Sequence, residues 1–251
     1  KFMIPQKEVI SQTAFYAVAV FIATVVEIPG RAMFQIINPL VAKALNENDT
    51  KELSNLYTKS SINLLIVAGL FFLLININID PFYELMSNPS YGDAIWVVLM
   101  ISLSKLILMS FGCGPAILAT AKFYKITLPF SILMALSVYF LNDVLIDIYS
   151  INGAALSTLL VVSIFTFVKI IYIKFKLNIS PYSVHSLKVL LIICAIYFLF
   201  EFIAFSFSNI LEIFINTLLI ASIYSFLIYK SKSSEAINSF INNLLKGKLR
   251  F

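Results

Sequence analysis

The chain has 251 residues, 60% of them hydrophobic and only 12% charged, with a mean hydropathy of +0.94. That leaves too little polar surface to cover a water-soluble domain, so a soluble enzyme or binding module is excluded. The formal net charge of +5 is accounted for by lysines in the loops and tail. It speaks for orientation in a membrane and attraction to anionic headgroups rather than for nucleic acid.

The chain opens at Lys1 with no initiator methionine and no signal-peptide n-region, so it is expected to be the C-terminal part of something longer. The first apolar stretch, Ile10–Ala44, is too long for a simple span. As one helix of about 35 residues it would reach roughly 52 Å, against a hydrocarbon core of about 30 Å. Pro29-Gly30 interrupts it, and Pro39 interrupts it again. Two short spans turning at Pro29 would put Lys1 and Lys7 inside; one long bent helix would put them outside. The residues alone leave both open.

A polar connection follows at Asn46–Lys51, and then six further apolar runs: Ile62–Ile79, Ala94–Ala121, Ile126–Leu145, Ala154–Ile173, Val189–Phe205 and Ile210–Tyr229. Each approaches the roughly 20 residues a helical span needs. None shows the alternation of a membrane β-barrel, so the expected fold is an all-α, polytopic transmembrane helix bundle. Tyr91 and Trp96 stand at the outer end of the Ala94 helix, where amphipathic rings favour the interface. Gly112–Pro115 breaks that same helix, which is tolerable only where neighbours cover the freed backbone groups or where they line a cavity. After the last span, residues 231–251 read as a cytoplasmic tail. Within it, Ser233–Leu245 places Ile237, Phe240, Ile241, Leu244 and Leu245 on one helical face, as in a helix lying on the membrane surface.

The loops alternate in charge. The loop around Ala44–Ser61 holds Lys51 and Lys59, with Lys43 at its entrance, and Asp80–Asp93 has no basic residue. Lys122 and Lys125 follow, then the bare stretch Asp147–Asn152, then Lys174, Lys176 and Lys188. After a bare turn at Ser206–Asn209 the chain ends with Lys230, Lys232, Lys246, Lys248 and Arg250. The positive-inside rule places the lysine-bearing loops and the C-terminus in the cytoplasm.

A charged side chain at mid-bilayer costs about 2.5–3.5 kcal/mol, so each one needs a reason. Glu27, Arg31 and Lys105 are the three that stand out. Glu27 and Arg31 are four apart with the acid first, the favourable order for a helical pair, although Pro29-Gly30 lies between them. One reading is a structural ion pair. The other has Arg31 offering its planar fork to a phosphate or carboxylate in a central cavity. Lys105 falls near the middle of its span with no acid within a turn, so it must snorkel, pair across helices or face water; Ser102 and Ser104 suggest a polar stripe beside it. Asn142, Asp143 and Asp147 suit a solvated span end or, less simply, a cation-coupling site. Glu201 and Glu212 suit interfacial solvation. Cys113 and Cys194 lie in apolar runs, no metal or disulfide pattern exists, and the solitary His185 receives no role. No catalytic motif occurs, so an enzyme is not expected.

Val26–Ala32 followed by Ile36–Ala44 resembles the Pro-centred helix of bacterial polysaccharide flippases, within the multidrug/oligosaccharidyl-lipid/polysaccharide exporter superfamily. Ile148–Thr158 resembles the junction between two helices of their second lobe, with Ser150 where glycine is commoner and Asp147 where proline often occurs. The resemblance spans roughly residues 10–230. It implies a fourteen-helix, two-lobe fold of which this chain is the second lobe, one bent helix over Ile10–Ala44, and a place in the bacterial cytoplasmic membrane. It also implies movement of an undecaprenyl-pyrophosphate-linked oligosaccharide for cell-surface polysaccharide or lipopolysaccharide synthesis. Partners would then be that glycolipid, membrane lipids and an N-terminal lobe, with no cofactor beyond a coupling H+ or Na+. In this reading Arg31 and Lys105 contact the pyrophosphate while Glu27 gates or orients Arg31. A drug/cation antiporter of the same superfamily and a non-transporting membrane scaffold are the alternatives.

Overall fold

The structure is a computed structural model and describes residue 4 and residues 10–86, 89–120, 123–202 and 208–245. Lys1, Lys7, Lys122, Lys246, Lys248 and Arg250, and the span ends expected at Ala121 and Phe205, lie outside these residues. The helices are α1 (Ile10–Thr24), α2 (Ile28–Asn46), α3 (Thr50–Glu84), α4 (Ile95–Ser110), α5 (Gly114–Ala119), α6 (Tyr124–Leu177), α7 (Val184–Glu201), α8 (Asn209–Ser231) and α9 (Glu235–Leu245). Six helical stretches are long and apolar enough to cross a membrane: Ser11–Asn46, Thr50–Glu84, Tyr91–Ser110, Lys125–Leu177, Val184–Glu201 and Asn209–Ser231. By helix length and hydropathy the chain is a multi-pass, all-α membrane protein.

α1 and α2 form one bent rod, joined by a single tightened turn over Val25–Glu27. Proline causes the tightening. Pro29 has no N–H for the Val25 carbonyl, and Ile28 donates to that carbonyl instead, one residue early. Pro39, by contrast, does not interrupt as expected; α2 continues through it to Asn46. Ile37 and Val41, on either side of it, are buried in a cluster with Tyr57 and Phe111, which holds the helix together across the missing bond.

α3 is the axis of the bundle. Its most apolar stretch is 61% buried, against 17% for α8. Asp49 caps its start, accepting from the amides of Lys51 (3.1 Å) and Glu52 (3.0 Å). The helix therefore begins well before the apolar run at Ile62, and most of the connection expected up to Ser61 is helical. Leu64, Leu65, Phe72 and Leu73 pack in one core with Ile193 and Ile196 of α7 and Ile220 and Tyr224 of α8. The Tyr224 hydroxyl donates to the Ile66 carbonyl (2.8 Å), so its polar tip is satisfied inside that core.

α6 is two helices folded against each other rather than a single rod. Ser150 has φ 56° and ψ −135°, outside any helical region, and the chain reverses there. Phe130 of the first arm meets Phe165 and Tyr172 of the second at ring separations of 6.5 and 6.3 Å. The Ser157 hydroxyl donates to the Asn142 side chain across the pair. Gly153 lies so close to the Leu145 carbonyl that a β-carbon would overlap it. The runs Ile126–Leu145 and Ala154–Ile173 are the two antiparallel arms.

Ser234 starts α9. Its hydroxyl accepts from the Ile237 amide (3.2 Å) and donates to Asn63 Oδ1 of α3 (2.6 Å). Ile237 packs on the main core while Phe240 remains exposed.

Candidate functional site

The tightened turn at Val25–Glu27 packs against both α3 and α4. Val26 is fully buried there and anchors the bend in the main core. Glu27 precedes α2 without capping it through its side chain, which leaves the carboxylate to reach sideways. Lys105 of α4 donates to Glu27 Oε2 at 2.7 Å. Arg31, one turn further along α2, approaches Glu27 Oε1 at 3.5 Å, the outer limit of a hydrogen bond. The fold thus gathers Glu27, Arg31 and Lys105 into one cluster around a single carboxylate.

The two contacts are unequal. The Glu27 and Lys105 side chains are 21% and 25% exposed, and that pair is short. Arg31 is 72% exposed and weakly held. The lysine at mid-span therefore pairs across helices. With two cations and one anion the cluster carries a formal charge of +1, concentrated at the guanidinium.

The serines beside Lys105 do not join it. Ser102 is buried and accepts from Asn76 Nδ2 of α3 (2.9 Å), which also donates to the Phe72 carbonyl (2.8 Å). Ser104 is buried and donates to the Ile101 carbonyl (2.7 Å). The polar stripe on α4 is thus turned into the bundle, because two short hydroxyls can be satisfied there and an ammonium cannot. Asn76 is the residue that sequence reasoning missed. The signal was present in the repeated asparagines of Ile75–Asn78, two polar amides inside an otherwise apolar run.

A second polar junction holds the break after α4. Gly112 has φ +58°, and the chain turns there into α5. Ser61 Oγ donates to the Ser110 carbonyl (2.6 Å), and Ser60 Oγ accepts from the Cys113 amide (2.9 Å). The backbone groups freed by the break are thereby met by two serines of α3. Asn142 is engaged by Ser157, and Asp143 and Asp147 lie exposed on the same arm of α6. Among the described residues no group of three or more His, Cys, Asp or Glu side chains is placed to hold a metal ion.

Fold and cluster together define an all-α, multi-pass membrane protein with a charged cluster at a bend in its first long helix. Comparison with protein-family models, with curated proteins and with solved structures finds no match.

Proposed function

We propose that the chain is the second lobe of a flippase that moves an anionic, lipid-linked oligosaccharide across the bacterial cytoplasmic membrane for cell-surface polysaccharide synthesis. The observation that carries this reading is the uneven sharing of Glu27: Lys105 holds it at 2.7 Å, while Arg31 is loosely held and exposed. A guanidinium in that state binds a pyrophosphate through two parallel hydrogen bonds with little to give up. The polyprenyl tail stays in lipid while the charged headgroup follows a wet, cationic path past Arg31 and Lys105. Alternating access arises from rocking of this lobe against an N-terminal one, with the C-terminus on the cytoplasmic side.

A cationic drug would need an available carboxylate. Glu27 is already engaged by Lys105, which favours an anionic cargo. A scaffold gains nothing from an exposed arginine at this depth.

The test is translocation of an undecaprenyl-pyrophosphate oligosaccharide by the full-length protein in proteoliposomes. Glycolipid appearing on the far leaflet is the expected result, with Arg31→Gln lowering the rate and leaving thermal stability intact. Unchanged flipping by Arg31→Gln removes Arg31 from the mechanism. No movement of any anionic glycolipid, with an imposed H+ or Na+ gradient, overturns the reading.

A further inference from the structure

At the end of the bundle that carries the lysine-bearing connections, α3, α7 and the corner between α8 and α9 enclose an open cavity of about 520 Å3. Lys59, Asn63, His185, Lys232, Ser233 and Glu235 line it. It shares no residue with the Glu27–Arg31–Lys105 cluster.

Three features of this cavity converge on an anion. Lys59 of α3 and Lys232 of the corner after α8 meet at one opening, and Glu235 is the acidic residue on its wall. The first turn of α9, an eleven-residue helix, forms one side, and the amide end of a helix carries partial positive charge. Lys232 also has φ 50° and ψ 35°, directly after α8. That left-handed position is glycine's by default, so a lysine there is held in a conformation that glycine adopts without strain. Sequence economy would place glycine at this corner; the chain places a cation facing the cavity.

The cavity also has an apolar wall. Ile62, the first residue of the apolar run of α3, lines it, and α9 beside it exposes Phe240. Because the apolar run of α3 begins at Ile62, a bilayer whose hydrocarbon starts there would bring its headgroups to this cavity, where polybasic segments meet anionic lipid. We propose that this cavity binds the phosphate of an anionic phospholipid headgroup. Ser234, tied to Asn63 and to the first turn of α9, makes the docking of α9 on α3 part of the same site.

The test uses the full chain in nanodiscs of mixed phosphatidylglycerol and phosphatidylcholine, with co-purifying lipid counted after detergent extraction. The Lys59→Gln/Lys232→Gly pair removes both charges, and glycine suits the left-handed corner, so folding is retained; thermal unfolding verifies this. Wild type is expected to retain phosphatidylglycerol preferentially, and the pair to lose roughly thirtyfold of that preference, about fivefold per lysine. A control pair at the same end, Lys174→Gln/Lys176→Gln, is expected to keep it. Equal retention in wild type and Lys59→Gln/Lys232→Gly overturns the site, as does equal loss in the control, which would mean diffuse surface attraction. Thermal protection by inorganic phosphate alone, lost in Lys59→Gln/Lys232→Gly and not reproduced by phosphatidylglycerol, overturns the lipid source in favour of a soluble anion.

Discussion

Two helices of this bundle are broken inside the apolar zone, and the breaks are filled in opposite ways. At Gly112 the loose backbone groups are met by the neutral hydroxyls of Ser60 and Ser61, all buried. At Pro29 the backbone repairs itself through the Ile28–Val25 bond, and the side chains gathered there are charged and partly exposed. A break sealed by hydroxyls is a fixed joint. A break that collects a carboxylate and two cations holds charge where charge is expensive, which is why the proposed function is placed there.

The sharpest way to break the contrast is Gly112→Ala. Its β-carbon would lie 2.7 Å from the Ser61 backbone nitrogen, at a φ that alanine adopts only under strain. Strain and overpacking together are expected to cost about 3 kcal/mol or more, read as a large fall in the thermal midpoint in detergent. Glu27→Gln comes next. A fully buried pair costs about 3–5 kcal/mol when one partner is removed, and partial exposure of this pair reduces that to about 2 kcal/mol. Glu27→Leu combined with Lys105→Met is expected to restore stability while abolishing the proposed glycolipid transport. A double variant that stays active would make the charges at Pro29 purely structural and erase the difference between the two breaks.

Ser60→Ala tests the sealed joint more gently. It leaves the Cys113 amide without its partner in a buried setting, for a loss of about 1–2 kcal/mol, seen as faster amide exchange at Cys113. The smallest effect is expected at Ser150, where α6 reverses. Ser150→Gly relieves a positive φ but gives up the hydrogen bond to Gln12 (2.9 Å). The net is a gain of about 0.5 kcal/mol, measurable as a small rise in thermal midpoint.

Much of this architecture was legible in the chain. Apolar runs of about twenty residues mark membrane helices because lipid offers no partner for the backbone, and the reversal at Ser150 falls in the bare stretch Asp147–Asn152 that separates two such runs. Two readings failed for local reasons. Pro39 reads as a breaker, but Ile37 and Val41 pin both sides of it in the core. The polar stretch before Ser61 reads as a loop, but Asp49 caps a helix there that the polar residues continue without difficulty.

Composition and lysine spacing by themselves determined that this is a helical, multi-pass membrane protein, because the hydrophobic effect acts on every residue of a span at once. They also singled out Glu27, Arg31 and Lys105, since the cost of a mid-membrane charge is visible wherever it occurs. Only the tertiary structure decided that Glu27 belongs to Lys105, 78 positions away, more than to its helical neighbour Arg31. It alone turned Ser102 and Ser104 inward and brought Lys59 and Lys232 to one cavity. Pairing across helices depends on how two rods are rotated against each other. That rotation is set by the packing of the whole core, and no local pattern of residues records it.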